Sequence, residues 1–187
     1  EREALDTISR HLDSDFSRAC EAIITCAGRI VVTGTGKSGQ IGSKIASTLA
    51  STGTPSFFVH SGEASHGDLG MIPPDDIVIA ISNSGETSEI QTIVPIIKRM
   101  EVTLIAMTGS LNSTLARAST FTLNIGVDRE ACPHNLAPTA STTATLALGD
   151  ALAVSVLKAR NFKKEDFARS HPGGTLGKRL LIYVEDI

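Results

Sequence analysis

The chain has 187 residues, 41% of them hydrophobic, and a net charge of −3, the size and balance of one compact α/β domain that buries roughly 70% of its unfolded surface. Its 17 basic and 20 acidic residues are mixed without a basic block, so neither nucleic acid nor an anionic membrane surface is an expected partner. With no Trp, one Tyr and no apolar run near the ~20 residues that span a bilayer, neither a base-stacking platform nor a membrane segment is expected. The polar opening Glu1-Arg2-Glu3 does not read as a signal sequence. The three cysteines, Cys20, Cys26 and Cys132, are irregularly spaced, which suggests neither a disulfide framework nor a zinc site and fits a reducing cytoplasm.

In chain order, apolar residues at Leu5, Ile8, Leu12, Phe16, Ala19, Cys20 and Ile23 recur every three or four positions and predict one amphipathic helix ending near Gly28. The period then changes. Short β-rich runs follow at Arg29 to Thr33, Ser56 to Val59, Asp76 to Ile81, Val102 to Met107 and Thr120 to Ile125, several nearly continuous in Val, Ile and Leu, as in strands buried on both faces. Between them lie helical patterns at Gln40 to Ser51, Ser88 to Met100 and Asn112 to Arg117. Right-handed strand-helix-strand units of this kind predict a three-layer α/β sandwich around a five-stranded parallel sheet of flavodoxin-like order 2-1-3-4-5. A long helix from Thr139 to Ala159, a charged turn from Asn161 to Arg169 and a loop Ser170-His171-Pro172-Gly173-Gly174-Thr175 complete the pattern. No repeat, low-complexity linker or second core is visible, so 1–187 reads as a single domain.

Ligands of open parallel sheets bind beyond the carboxyl ends of the strands, where strand order reverses, which directs attention to the loops after strands 1 and 3. The first reads Thr33-Gly34-Thr35-Gly36-Lys37-Ser38-Gly39 and the second Ser82-Asn83-Ser84-Gly85-Glu86-Thr87. Gly36-Lys37-Ser38 has the tail of a nucleotide-binding P-loop, but Val31 stands where its leading glycine belongs. Gly34, Gly36 and Gly39 match a dinucleotide fingerprint, yet the next strand ends Val59-His60-Ser61 without the acid that holds a ribose hydroxyl. What remains is two glycine- and hydroxyl-rich turns feeding helix N-termini. Free amides and hydroxyl donors without an arginine cluster suit one phosphate monoester, although for either loop alone a simple helix cap would account for the serines equally well.

These two loops, with Gly62-Glu63-Ala64-Ser65-His66-Gly67-Asp68-Leu69-Gly70, Pro138-Thr139-Ala140-Ser141-Thr142 and Ser170-His171-Pro172-Gly173-Gly174-Thr175-Leu176-Gly177, are similar to the sugar isomerase (SIS) domain of the D-arabinose-5-phosphate isomerases. The resemblance covers essentially the whole chain. It implies interconversion of D-ribulose 5-phosphate and D-arabinose 5-phosphate, the entry to Kdo and lipopolysaccharide synthesis, without a cofactor. By resemblance Lys37, Glu89, Glu130 and His171 fall on the catalytic positions. Gly36, Ser38, Ser61, Ser82, Ser84 and Thr87 fall on phosphate-binding positions, and His66 on a loop linked to inhibitory zinc. Full-length members carry a pair of CBS domains after the SIS domain, and the sequence through Ile187 is read as the SIS domain alone.

Aldose-ketose isomerisation needs a base that moves a proton between C1 and C2, an electrophile for the enediolate, and help in opening a ring. Either glutamate suits the base. Glu89 falls on a helix first turn, where the dipole lowers its pKa, so Glu130 is the expected base on the ground that shielding raises a carboxyl's pKa. Lys37 is the expected electrophile and His171 the ring-opening group. In related SIS enzymes such a late histidine reaches a neighbour's site, which implies a homotetramer with shared active sites. His66, Glu63 and Asp68 match no standard zinc spacing, so no required metal is expected. His11 reads as a solvated or interface residue of the first helix and His60 and His134 as loop packing, and Asn112-Ser113-Thr114 is a glycosylation acceptor only in a secreted protein. A non-catalytic sugar-phosphate-binding regulatory domain, or an isomerase of another phosphosugar, would keep the phosphate loops. The regulator would have no need of Lys37, two glutamates and His171 together.

Overall fold

A computed structural model describes residues 1–171. The expected first helix is two: α1 (Arg2–His11) and α2 (Ser14–Thr25). The apolar period runs on through Leu12, but Asp13 turns extended and its carboxylate accepts the amides of Asp15 (2.9 Å) and Phe16 (3.4 Å), so an N-cap wins over helix continuation. The chain continues through β1 (Ile30–Gly34), α3 (Gly36–Ser51), β2 (Ser56–His60), α4 (Ser61–Ala64), a 3₁₀ turn (Asp68–Met71) and β3 (Ile77–Ile81). It ends with α5 (Ser88–Arg99), β4 (Thr103–Thr108), α6 (Thr114–Ala118), β5 (Phe121–Asn124), α7 (Ala140–Ala159) and α8 (Lys164–Ser170). Two further boundaries differ from expectation. The charged turn after α7 folds as α8, because the Asp166 carboxylate takes the Lys163 amide at 3.0 Å in a capping box. And α3 starts at Gly36 rather than Gln40, which puts Lys37 and Ser38 on the first turn of a helix.

All five strands are parallel in the order β2-β1-β3-β4-β5, as the sequence predicts. Strand order reverses between β1 and β3. The register sets Gly34 beside both His60 and Ile81, and Ile81 beside Met107, so the carboxyl ends of the central strands finish level and their loops share one edge. Every residue of β1 and β3 is buried. On one face Val32, Ile79 and Ile81 pack with Ile45 and Leu49 of α3 and Leu148 and Leu152 of α7. On the other, Val31, Val78 and Ala80 pack with Ile90, Ile93 and Ile97 of α5 and Leu115 of α6. Each fully buried aliphatic side chain contributes about 1.5–3 kcal/mol, so the central strands are a rigid base for the loops above them.

The expectation that no segment matches a membrane span is corrected by α7: its 20 residues include an 18-residue window of mean hydropathy 1.4, long and apolar enough by length and composition. Half of that window is buried inside the domain, Gly149 lies against the Ile45 side chain of α3, and Asp150 pairs with Lys44 at 2.7 Å. A side chain at position 149 would collide with Ile45, so the glycine is what lets α3 and α7 pack this closely. Within this fold α7 is a core helix.

Candidate active site

The site begins where β1 and β3 end. Beyond β1 the extended Thr35 leads into α3, and the Gly39 amide returns to the Thr35 carbonyl at 3.0 Å, so the first turn is formed at once. Beyond β3 the chain reverses at Gly85, held at φ +68, where a side chain would strike Ser113. The Gly85 amide donates to the Ser82 carbonyl and hydroxyl, both at 3.1 Å, and the Glu86 amide donates to the Ser84 hydroxyl at 3.2 Å. The Ser82 and Thr87 hydroxyls are 3.4 Å apart. A serine hydroxyl that accepts an amide still has its own proton to give, so this turn presents donors to whatever sits above it.

Between the two turns lies a cavity of about 330 Å³. Lys37, Ser38, Ser82, Ser84 and Thr87 all line it, together with Thr35 and Asn83. Its far wall is α7, through Ser141, Thr142 and Thr145. An ammonium and several hydroxyl donors at two helix N-termini make a pocket suited to a small phosphorylated polyol.

The other predicted residues are not among those that line that cavity. Ser61 is fully buried at the start of α4, its hydroxyl without a hydrogen-bond partner among the described residues. His66 is exposed in the turn after α4, and among the described residues no three His, Cys, Asp or Glu side chains converge as a metal site would require. Gly36, at φ +55, turns the backbone into α3. Glu89 lies on the first turn of α5. Its own backbone amide, the Ser88 hydroxyl at 2.9 Å and the nearby His60 ring hold its carboxyl below the ordinary value.

Glu130 lines a second cavity of about 620 Å³, formed by the loop after β5 and the start of α1. Its Oε2 accepts the Thr139 amide (2.8 Å), the Thr139 hydroxyl (3.2 Å) and the Ser141 amide (3.1 Å), capping α7. Burial pushes the Glu130 carboxyl up, but these bonds from Ser141 and Thr139 together outweigh it and hold it below the ordinary value. The expectation of a carboxyl raised by shielding is therefore corrected: hydrogen bonding decides the direction at Glu130, as it does at Glu89. His171 stacks on Phe167 with ring centroids 3.9 Å apart, its Nδ1 3.0 Å from the Phe167 carbonyl. The rest of its motif, from Pro172 on, lies outside the described residues.

Residues 23–155 match the SIS domain family. The chain belongs to that family. All 187 residues align at 62% identity with the arabinose 5-phosphate isomerase KdsD of Yersinia pestis, and at 59% with that of Escherichia coli K12. In each case the chain spans 57% of the relative's length. A structure from E. coli CFT073 solved in complex with arabinose 5-phosphate is 44% identical, with a TM-score of 0.86 over 91% of this chain and 93% of that one. The Vibrio vulnificus NanR protein complexed with ManNAc-6P has a TM-score of 0.78 over 90% of this chain and 63% of its own at 20% identity, a likeness of fold.

Sequence reasoning missed two parts of this SIS domain's site. Ser141, Thr142 and Thr145 form the cavity's far wall; Ser141 and Thr142 belong to a motif that carries the resemblance but had no role there, because hydroxyls at such spacing look like any polar helix face. Glu130's role as cap of α7 depends on a loop that closes nine positions later, at Thr139, and no local pattern announces it.

Proposed function

We propose that this SIS domain is an aldose-ketose isomerase that interconverts D-ribulose 5-phosphate and D-arabinose 5-phosphate. The observation that carries the reading is that Lys37 lines the same cavity as the Ser82–Thr87 turn, in a chain alike over its whole length to arabinose 5-phosphate isomerases. The phosphate sits on the amides and hydroxyls of the two turns, Ser38, Ser82, Ser84 and Thr87 foremost. The sugar extends toward α7. A carboxylate takes a proton from C1 of the ketose, the C–H electron pair becomes the C1–C2 double bond of an enediolate, and the Lys37 ammonium balances the charge on oxygen. The C1 hydroxyl proton passes to the C2 oxygen, and return of the carbon-bound proton to C2 then leaves the C1 carbonyl of the aldose. Glu130 is the preferred base: it is ionised at neutral pH and more sheltered than Glu89, and its Oε2 is fixed by α7. The relay uses no cofactor, and its product would feed Kdo and lipopolysaccharide synthesis.

Ring opening falls to His171 supplied by a neighbouring subunit, in a homotetramer with shared sites. Support comes from Leu5, Leu12 and Val154, apolar side chains exposed on or beside α1 and on α7. A cytoplasmic setting accords with three free cysteines, and zinc at His66 would inhibit rather than assist.

Proton NMR with D-ribulose 5-phosphate in deuterium oxide tests the reading. The expected result is arabinose 5-phosphate carrying deuterium at C2, lost in Lys37→Ala. Binding of the sugar phosphate without turnover would instead favour a regulatory domain, and turnover only of another phosphosugar a different isomerase.

A further inference from the structure

Glu86 is out of place by charge alone. It sits between Ser84 and Thr87 in a turn that, on the reading above, receives a phosphate, and a free carboxylate there would repel the ligand. Its two oxygens are engaged elsewhere. Oε1 accepts the Thr114 amide, the first of α6, at 2.6 Å, and Oε2 accepts the Gln91 side-chain amide of α5 at 2.7 Å. Those bonds, with Arg117 close by, hold the carboxyl below the ordinary value. Meanwhile the Glu86 amide donates to the Ser84 hydroxyl at 3.2 Å, filling one lone pair and leaving the Ser84 proton for the cavity. The neighbouring Gly85 carbonyl accepts the Leu115 amide at 3.2 Å, a second tie from the turn to α6.

We infer that Glu86 is a positioning residue for phosphate binding, clamping the serine turn to α5 and α6 so that its own amide fixes the direction of the Ser84 hydroxyl. It touches no substrate. The clamp needs two polar atoms on the side chain rather than a charge. A glutamine can accept the Thr114 amide with its oxygen and donate to Gln91 once that amide turns over, whereas alanine removes both ties.

The inference rests on the reading of this turn as the phosphate site, and the test separates the two. Kinetics with ribulose 5-phosphate and calorimetry with inorganic phosphate are run on the wild type, Glu86→Ala, Glu86→Gln and Thr114→Pro. The last deletes the amide donor while leaving the carboxylate. Proline is accepted at the first position of a helix, and Ser113 before it is already extended at ψ 163. Expected are about a tenfold rise in KM and in the phosphate Kd for Glu86→Ala and Thr114→Pro with kcat within about twofold, and rescue of both by Glu86→Gln. Equal KM and Kd in wild type and Glu86→Ala overturn the clamp, as does a Gln variant as impaired as Ala, or a loss confined to kcat. If Glu86→Ala does not fold, Thr114→Pro decides by the same readings. Wild type that binds no phosphate overturns both the clamp and the site.

Discussion

The serine turn after β3 and the loop before α7 treat their polar groups in opposite ways. In the turn, the hydroxyls of Ser82 and Ser84 accept amides from the same turn, which leaves the Ser84 proton for the cavity and the Ser82 and Thr87 hydroxyls sharing theirs. Before α7, the Glu130 carboxylate is taken up by the amides of Thr139 and Ser141, which complete a helix instead of waiting for a ligand. One region is assembled and open within a single chain. The other is satisfied by its own chain, and Ser141, whose amide it binds, also lines the cavity beside the serine turn. On the function proposed above, the contrast separates a phosphate turn assembled within one protomer from a ring-opening group, His171, that a second chain would supply.

Breaking the open region has the largest expected effect. Lys37 is exposed, so Lys37→Ala should lower kcat/KM by about 10²- to 10³-fold with melting temperature unchanged, as for loss of one electrostatic donor. Steady-state kinetics beside calorimetry check this; a fall in stability that accounts for the lost activity would count against it. Gly85→Ala tests whether the turn's geometry matters. Its φ of +68 and the Ser113 side chain in the way predict destabilisation by about 1–3 kcal/mol in urea titration, together with weaker phosphate binding. Ser84→Ala removes a single donor and should raise KM about tenfold with little change in kcat.

The smallest effect sharpens the other side of the comparison. A carboxyl held below its ordinary value stabilises the fold while ionised. The Glu130 contribution is therefore present above the ordinary value of 4.5 and fades as pH falls through the lower folded-state value. Wild type should exceed Glu130→Gln in stability at pH 7, and the gap should close in acid. A gap that persists unchanged at pH 3 would mean the carboxylate's charge is not what caps α7.

Much of this contrast was open to reading on one side only. Continuous apolar runs such as Ile77–Ile81 announce doubly buried strands, and the glycines and serines that follow mark the point where strand order reverses. The break at Asp13 was hidden because Leu12 keeps the apolar period through it, although Leu12 is itself left exposed. The helix α8 was hidden because its cap pairs Lys163 with Asp166, and lysine is not a residue expected at that position. Resemblance singled out Glu130 and His171, but not their surroundings, which depend on contacts with Thr139 and Phe167.

Subunit complementation tests the central claim most directly. Lys37→Ala and His171→Ala chains, each expected to be inactive alone, are unfolded together, refolded, and confirmed as mixed oligomers by native mass spectrometry. If the site draws Lys37 from one chain and His171 from its neighbour, roughly a quarter of the sites in an equal mixture regain both residues, and activity returns in that proportion. Mixed oligomers as inactive as their parents would contradict the account and return both residues to one chain.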